Sequence, residues 1–187
     1  GAIEPVILVG IGNTAGRMTE YTYGAEPRPQ GKSGEDYLRF VAEELKPFVD
    51  TTYRTRPEQS HTAVGGSSLG GLISLYMISK RPDVFSKAAV VSPSLFWDKG
   101  RAIRDAAGYA PYASDTKLWV YIGTREGRSA EGQDVSQATI HCRELIAELD
   151  RVGLAKGKNY HYLETVGAVH NEQAWADQVE SMLRYLF

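Results

Sequence analysis

The sequence is poor in the features that would commit it to several classes of protein. One cysteine, Cys142, stands among 187 residues, so no disulfide can form within the chain and a packed core must hold the fold. A lone cysteine favours a cytoplasmic setting and is compatible with a periplasmic or secreted one. No H-x-x-x-H or C-x-x-C spacing occurs, so neither a metal site nor any other cofactor is expected. No apolar run approaches the ~20 residues of a membrane span, and the first residues carry no signal-peptide pattern. Charge of one sign is also missing. Lys and Arg number 21 against 23 Asp and Glu, a net charge of −2, which gives no basic surplus for nucleic acid and no block for a membrane surface. There is no repeat and no low-complexity linker, so residues 1–187 are expected to make a single domain.

What is present is alternation. Val6, Ile7, Leu8 and Val9 form a continuous aliphatic run, the pattern of a strand buried on both faces. Gly10, Gly12 and Gly16 follow it, but the polar residues 17–31, with Pro27 and Pro29, offer no helix to receive a pyrophosphate, so a dinucleotide site is not expected. Residues 17–34 read instead as a long loop in which Arg17, Tyr21 and Tyr23 could line a pocket. Ser33, with Asp36 three residues on, caps a helix whose buried face is Tyr37, Phe40, Val41, Leu45 and Phe48, with Pro47 distorting its last turn. Further strands are expected at residues 61–64, 87–92, 118–122 and 160–166. Helices are expected at 72–80, 100–107, 134–152 and 172–187. The apolar stripe of 134–152 is Ala138, Cys142, Leu145, Leu149 and Val152, and that of 172–187 is Trp175, Val179, Met182, Leu183 and Leu186. This order predicts an α/β fold with a mainly parallel sheet of about five strands flanked by helices.

The chemistry gathers at the strand ends. Gly66, Ser68 and Gly70 make a G-x-S-x-G between a strand and a helix, the context of a nucleophile elbow. Glycines at 66 and 70 are expected to remove collisions around a strained serine. The elbow lifts the Ser68 hydroxyl to the positive end of a helix, where the Leu69 amide can donate to an oxyanion. Ser67 lacks the flanking glycine. In an open α/β sheet the site lies beyond the carboxyl ends of the strands. Of the four histidines, His61 begins a strand, His141 sits in a helix and His161 lies inside a strand, whereas His170 follows the last strand. An imidazole can take the serine proton and return it to a leaving group, and a carboxylate fixes its tautomer. Glu126 leaves the correct strand end to be that carboxylate, with Asp134 and then Asp98 as alternatives. Ser, acid, His is the chain order of an α/β-hydrolase.

At these residues the sequence resembles the putative-esterase family of α/β-hydrolases, which includes enterochelin, feruloyl and S-formylglutathione esterases and mycolyltransferases. The matching pieces are P-V-I-L-V-G-I from Pro5, Arg17 with Glu20 and Tyr21, G-S-S-L-G-G from Gly66, S-P-S-L-F-W-D from Ser92, G-T-R-E-G from Gly123, and H-N-E-Q-A-W from His170. The serine- and histidine-led pieces are similar to the enterochelin-esterase-like branch. The resemblance implies a serine carboxylic-ester hydrolase acting on a small ester, with Ser68 as nucleophile, His170 as base and Glu126 as acid. It leaves acyl transfer by the same triad, or a non-catalytic fragment that binds a partner chain, as the competing readings. Phe96, Trp97, Tyr21 and Arg17 are the candidate substrate contacts. The family has further strands before the one expected at residues 6–9. One of these lies between that strand and the elbow strand and carries a second oxyanion amide in the loop after it. Nothing in this sequence supplies that strand, so a fragment, strand rearrangement or a homo-oligomer completing the sheet is expected, with an amide near Gly12 or Asn13 as substitute donor.

Overall fold

Four of the five apolar runs become strands, and they lie side by side in chain order. A computed structural model describes residues 3–24, 33–106, 108, 114–129, 132 and 134–187. In it β1 (Ala63–Ser67), β2 (Lys87–Val91), β3 (Lys117–Gly123) and β4 (Tyr160–Thr165) form one sheet in the order β1-β2-β3-β4. Each neighbouring pair is parallel. Parallel strands need crossover connections, and α4 (Leu69–Lys80), α5 (Arg101–Arg104) and α6 (Gln137–Arg151) lie within those connections.

Side chains alternate across the strands, and both faces are covered. Ala88, Val90, Leu118, Val120 and Ile122 pack with Leu72 and Leu75 of α4 and Cys142, Leu145 and Leu149 of α6. Ala89, Val91, Trp119 and Tyr121 meet Leu186 on the other face. That leucine belongs to α8 (Val179–Leu186), which follows α7 (Glu172–Ala176). The apolar residues of α4 are buried on every side, as expected of a helix apolar all round. Arg143 of α6 makes two bonds of 2.7 Å to Glu164 of β4. These bonds, with burial opposing them and a further bond from Tyr162, hold the Glu164 carboxyl below its usual range.

The differences from the sequence reading have local causes. Residues 6–9 are not a strand: they run without regular structure, and Ile7, Leu8 and Val9 are 50%, 78% and 46% exposed. An apolar run becomes a strand only where a neighbour takes its backbone groups. Among the described residues neither this run nor the outer edge of β1 has a ladder partner. A groove of about 880 Å³ separates them. The loop expected at 17–34 contains a short helix, α1 (Arg17–Glu20); Pro27 and Pro29 lie outside the described residues.

Ser33 does cap α2 (Gly34–Arg39), accepting from the Asp36 amide at 3.2 Å. The helix then widens to a π-helical segment (Phe40–Leu45) before α3 (Lys46–Thr52), which carries Pro47 in its first turn. Bonding from i to i+5 uses more residues per turn than 3.6. The apolar face is thereby rotated: Leu38, Val41 and Ala42 are buried, whereas Phe40 and Phe48 face outward. Helix α6 starts at Gln137 rather than 134 because Ser136 caps it. The last helix is two, broken at Asp177 and Gln178, which leaves Val179 exposed. The helix expected at 100–107 is α5, and Ala107 lies outside the described residues.

Candidate active site

The turn from β1 into α4 places Ser68 at φ 59° and ψ −121°, a backbone conformation that L residues rarely adopt. It is held from both sides. The Ser68 amide donates to the Val91 carbonyl at 2.9 Å, and its own carbonyl accepts from the Leu72 and Ser94 amides at 3.1 Å each. The glycine requirement is uneven. A Cβ at Gly66 would come within 2.8 Å of the Gly70 backbone, but a Cβ at Gly70 would meet nothing within 4 Å. The expectation that both glycines relieve collisions therefore holds at 66 only, because position 70 faces the open groove. Leu69, as the first residue of α4, has no acceptor for its amide inside the helix. Ser67 is the last residue of β1. The Ser68 hydroxyl lies 3.4 Å from the Ser94 hydroxyl; among the described residues it makes no hydrogen bond to His170.

Two strands away, the chain leaves β3 and turns so that Glu126 is buried, 4% exposed. Its Oε1 accepts from the Gly123 amide and the Ser92 hydroxyl, each at 2.7 Å. Its Oε2 lies 2.7 Å from His170 Nδ1. The loop carrying His170 is lashed to the Glu126 loop by backbone bonds from Thr124 to Thr165 at 3.1 Å and from Arg125 to Ala168 at 3.0 Å. This approach leaves no room at Gly123, where a Cβ would sit 2.4 Å from the Ala168 carbonyl oxygen. A carboxylate only accepts, so Nδ1 donates and the neutral ring keeps Nε2 as its acceptor. The edge of the ring rests on Trp175, 4.9 Å between centroids at 89°. The indole Nε1 in turn donates to the Ser92 hydroxyl at 2.9 Å.

The other candidates are placed elsewhere. Asp134 is exposed in the loop before α6. Asp98 faces Arg101 at 3.4 Å. His161 stacks on Trp119 at 4.3 Å, with burial pushing its pKa down. His141 meets Gln137, and His61 ends a short 3-10 turn before β1. Trp97 donates to the Tyr23 carbonyl at 2.8 Å and packs against the main core. Tyr21 is buried beside Tyr37 with the Arg17 guanidinium 5.5 Å over its ring, and both border the groove. Phe96 is 64% exposed. The structure thus brings Glu126 and His170 into contact at the strand ends that also carry Ser68, but does not gather the aromatic candidates into one pocket. Ser92, Ser94 and Trp175 were not read as site residues. Trp175 was counted toward the core; the signals for these residues were the place of the serines just past a strand end and the S-P-S-L-F-W-D and H-N-E-Q-A-W pieces that carry the family resemblance. Among the described residues no group of His, Cys, Asp and Glu could hold a metal ion.

The steric asymmetry is testable by thermal or urea unfolding. Gly66→Ala should lose about 1–3 kcal/mol, while Gly70→Ala should match or exceed the parent because alanine favours a helix. Equal losses at both positions would contradict the geometry.

Three comparisons bear on this arrangement. Residues 1–186 match the family described as "Putative esterase". The chain is 25% identical to the protein YbbA of Bacillus subtilis over 99% of its own length and 74% of that protein. It is 30% identical to the siderophore enterobactin esterase of Emericella nidulans over 67% of its own length. It spans only 44% of that esterase. In three dimensions it is similar to the BES protein from Bacillus cereus, with a TM-score of 0.73 at 19% identity, covering 96% of this chain and 68% of that one.

Proposed function

The chain belongs to the putative esterase family, and from that membership we propose that it is a serine carboxylic-ester hydrolase working through Ser68, His170 and Glu126. The observation that carries this reading is the 2.7 Å contact between the buried Glu126 carboxylate and His170 Nδ1, at the strand ends that also hold the strained Ser68. Ser68 Oγ attacks the ester carbonyl carbon as His170 Nε2 takes its proton. The Leu69 amide, at the start of α4, donates a hydrogen bond to the carbonyl oxygen as negative charge develops there. The tetrahedral adduct collapses, the alcohol leaves with the proton from His170, and an acyl-Ser68 ester remains. Water, activated by the same imidazole, attacks that ester, releases the acid and restores the hydroxyl. Glu126 holds the imidazole with Nε2 outward and stabilises its charged form. An amide near Gly12 or Asn13 is the candidate second oxyanion donor, Asn13 bordering the same groove as Ser67; loss of one such donor costs ~2.7–4 kcal/mol.

The substrate is a small-molecule ester, in keeping with the siderophore enterobactin esterase among the relatives. Arg17 and Tyr21, which border the groove, and the exposed Phe96 are the side chains proposed to meet it; Trp97, packed on the core, is not. Hydrolysis of a short-chain p-nitrophenyl ester tests the reading. Ser68→Ala should lower turnover by on the order of 10⁶-fold, and an unchanged rate would end it.

The open edge of β1 belongs to the same proposal. An unpaired strand edge is a template for another strand, and residues 6–9 are an apolar run without regular structure or, among the described residues, a ladder partner. A second copy of the chain, entering the groove with that run, would satisfy both. Light scattering should then give a multiple of 20.6 kDa. A monomeric mass that persists at high protein concentration would contradict the exchange.

A further inference from the structure

We infer that Ser92 and Trp175 act together as positioning residues for Glu126, fixing which carboxylate oxygen faces His170; this rests on the hydrolase reading above. Ser92 follows the end of β2 and is 2% exposed. Its φ is 45°, uncommon for a residue other than glycine and characteristic of functional sites. Its amide is anchored on the Tyr121 carbonyl at 2.8 Å, and its hydroxyl sits between the Trp175 indole and Glu126 Oε1.

The direction of that hydroxyl follows from donor chemistry. An indole N–H can only donate. Trp175 therefore occupies a lone pair of Ser92 Oγ, and the single hydroxyl proton is left for Glu126. With the Gly123 amide, Oε1 then receives two donors at 2.7 Å. A carboxylate pinned through one oxygen cannot rotate without losing both, so Oε2 stays on the histidine Nδ1 at 2.7 Å. The same indole touches the imidazole edge-on. Trp175 is tied to the histidine loop through α7, whose cap Asn171 accepts from the Ala174 amide at 2.9 Å. One side chain thus braces the base directly and the acid through Ser92. Neither residue contacts the reacting atoms in the proposed mechanism, so both act only through Glu126 and His170.

The test is a cycle of variants assayed on the p-nitrophenyl ester. Ser92→Ala should lower kcat by about tenfold to a hundredfold, the range seen when a partner that orients a functional group is removed, with little change in KM. In a Glu126→Ala background the same change should cost less than about twofold, because the group it positions is gone. Trp175→Phe, which keeps an aromatic ring and removes the N–H, should cost less than Ser92→Ala and add nothing to it. Equal losses from Ser92→Ala in both backgrounds, or no loss in the parent, would overturn the inference. A proton NMR spectrum of Ser92→Ala alone decides the matter should Glu126→Ala not fold. The far-downfield resonance of the His170 Nδ1 proton should move upfield or broaden, and an unaltered resonance would overturn the inference. Activity that survives Ser68→Ala defeats the hydrolase reading itself. A Ser68-dependent enzyme indifferent to Ser92→Ala defeats only the positioning role.

Discussion

A carboxylate taken out of water must be given donors, and Glu126 is where that constraint is most acute. Left without partners, a buried charge costs several kcal/mol. Its donors come from three separate strand ends: Gly123 at the end of β3, Ser92 just past β2, and His170 in the loop after β4. They converge only if β2, β3 and β4 are in the observed parallel register. The order of the sheet and the geometry of the site are therefore one requirement. A shift of one residue in any pair would turn each side chain to the other face and strand the carboxylate.

The end of β2 and the residues just past it serve both halves of the site. The Val91 carbonyl and Ser94 amide grip the backbone of Ser68, while Ser92 grips the acid. Within four residues the chain thus couples the elbow to the His170–Glu126 pair. This explains how a strained serine and a buried carboxylate on non-adjacent strands can be held in fixed relation. It also explains why an isolated elbow motif carries so little information: its conformation depends on a carbonyl and an amide from the next strand.

The class of fold was legible because periodicity and strand spacing are local. Apolar runs and capping serines such as Ser33 mark most elements to within a few residues. The misreadings occur where a local pattern depends on a distant partner. Residues 6–9 have the composition of a strand but no neighbour to pair with, and Phe48 has helical spacing but a π-helical segment rotates it outward. The nucleophile, histidine and acid candidates could be named because chain order places them after strands. Chain order does not measure distance, so it could not choose Glu126 over Asp134. The roles of Ser92 and Trp175 were invisible for the same reason, since their contact joins residues 83 positions apart.

The central claim is that Ser68 is made nucleophilic by a His170–Glu126 pair. Covalent labelling tests it most directly. A serine-reactive fluorophosphonate should add one equivalent to the protein, peptide mapping should place it on Ser68, and His170→Ala and Glu126→Ala should each slow the addition. Label on another residue, or labelling undiminished in His170→Ala, would contradict the account.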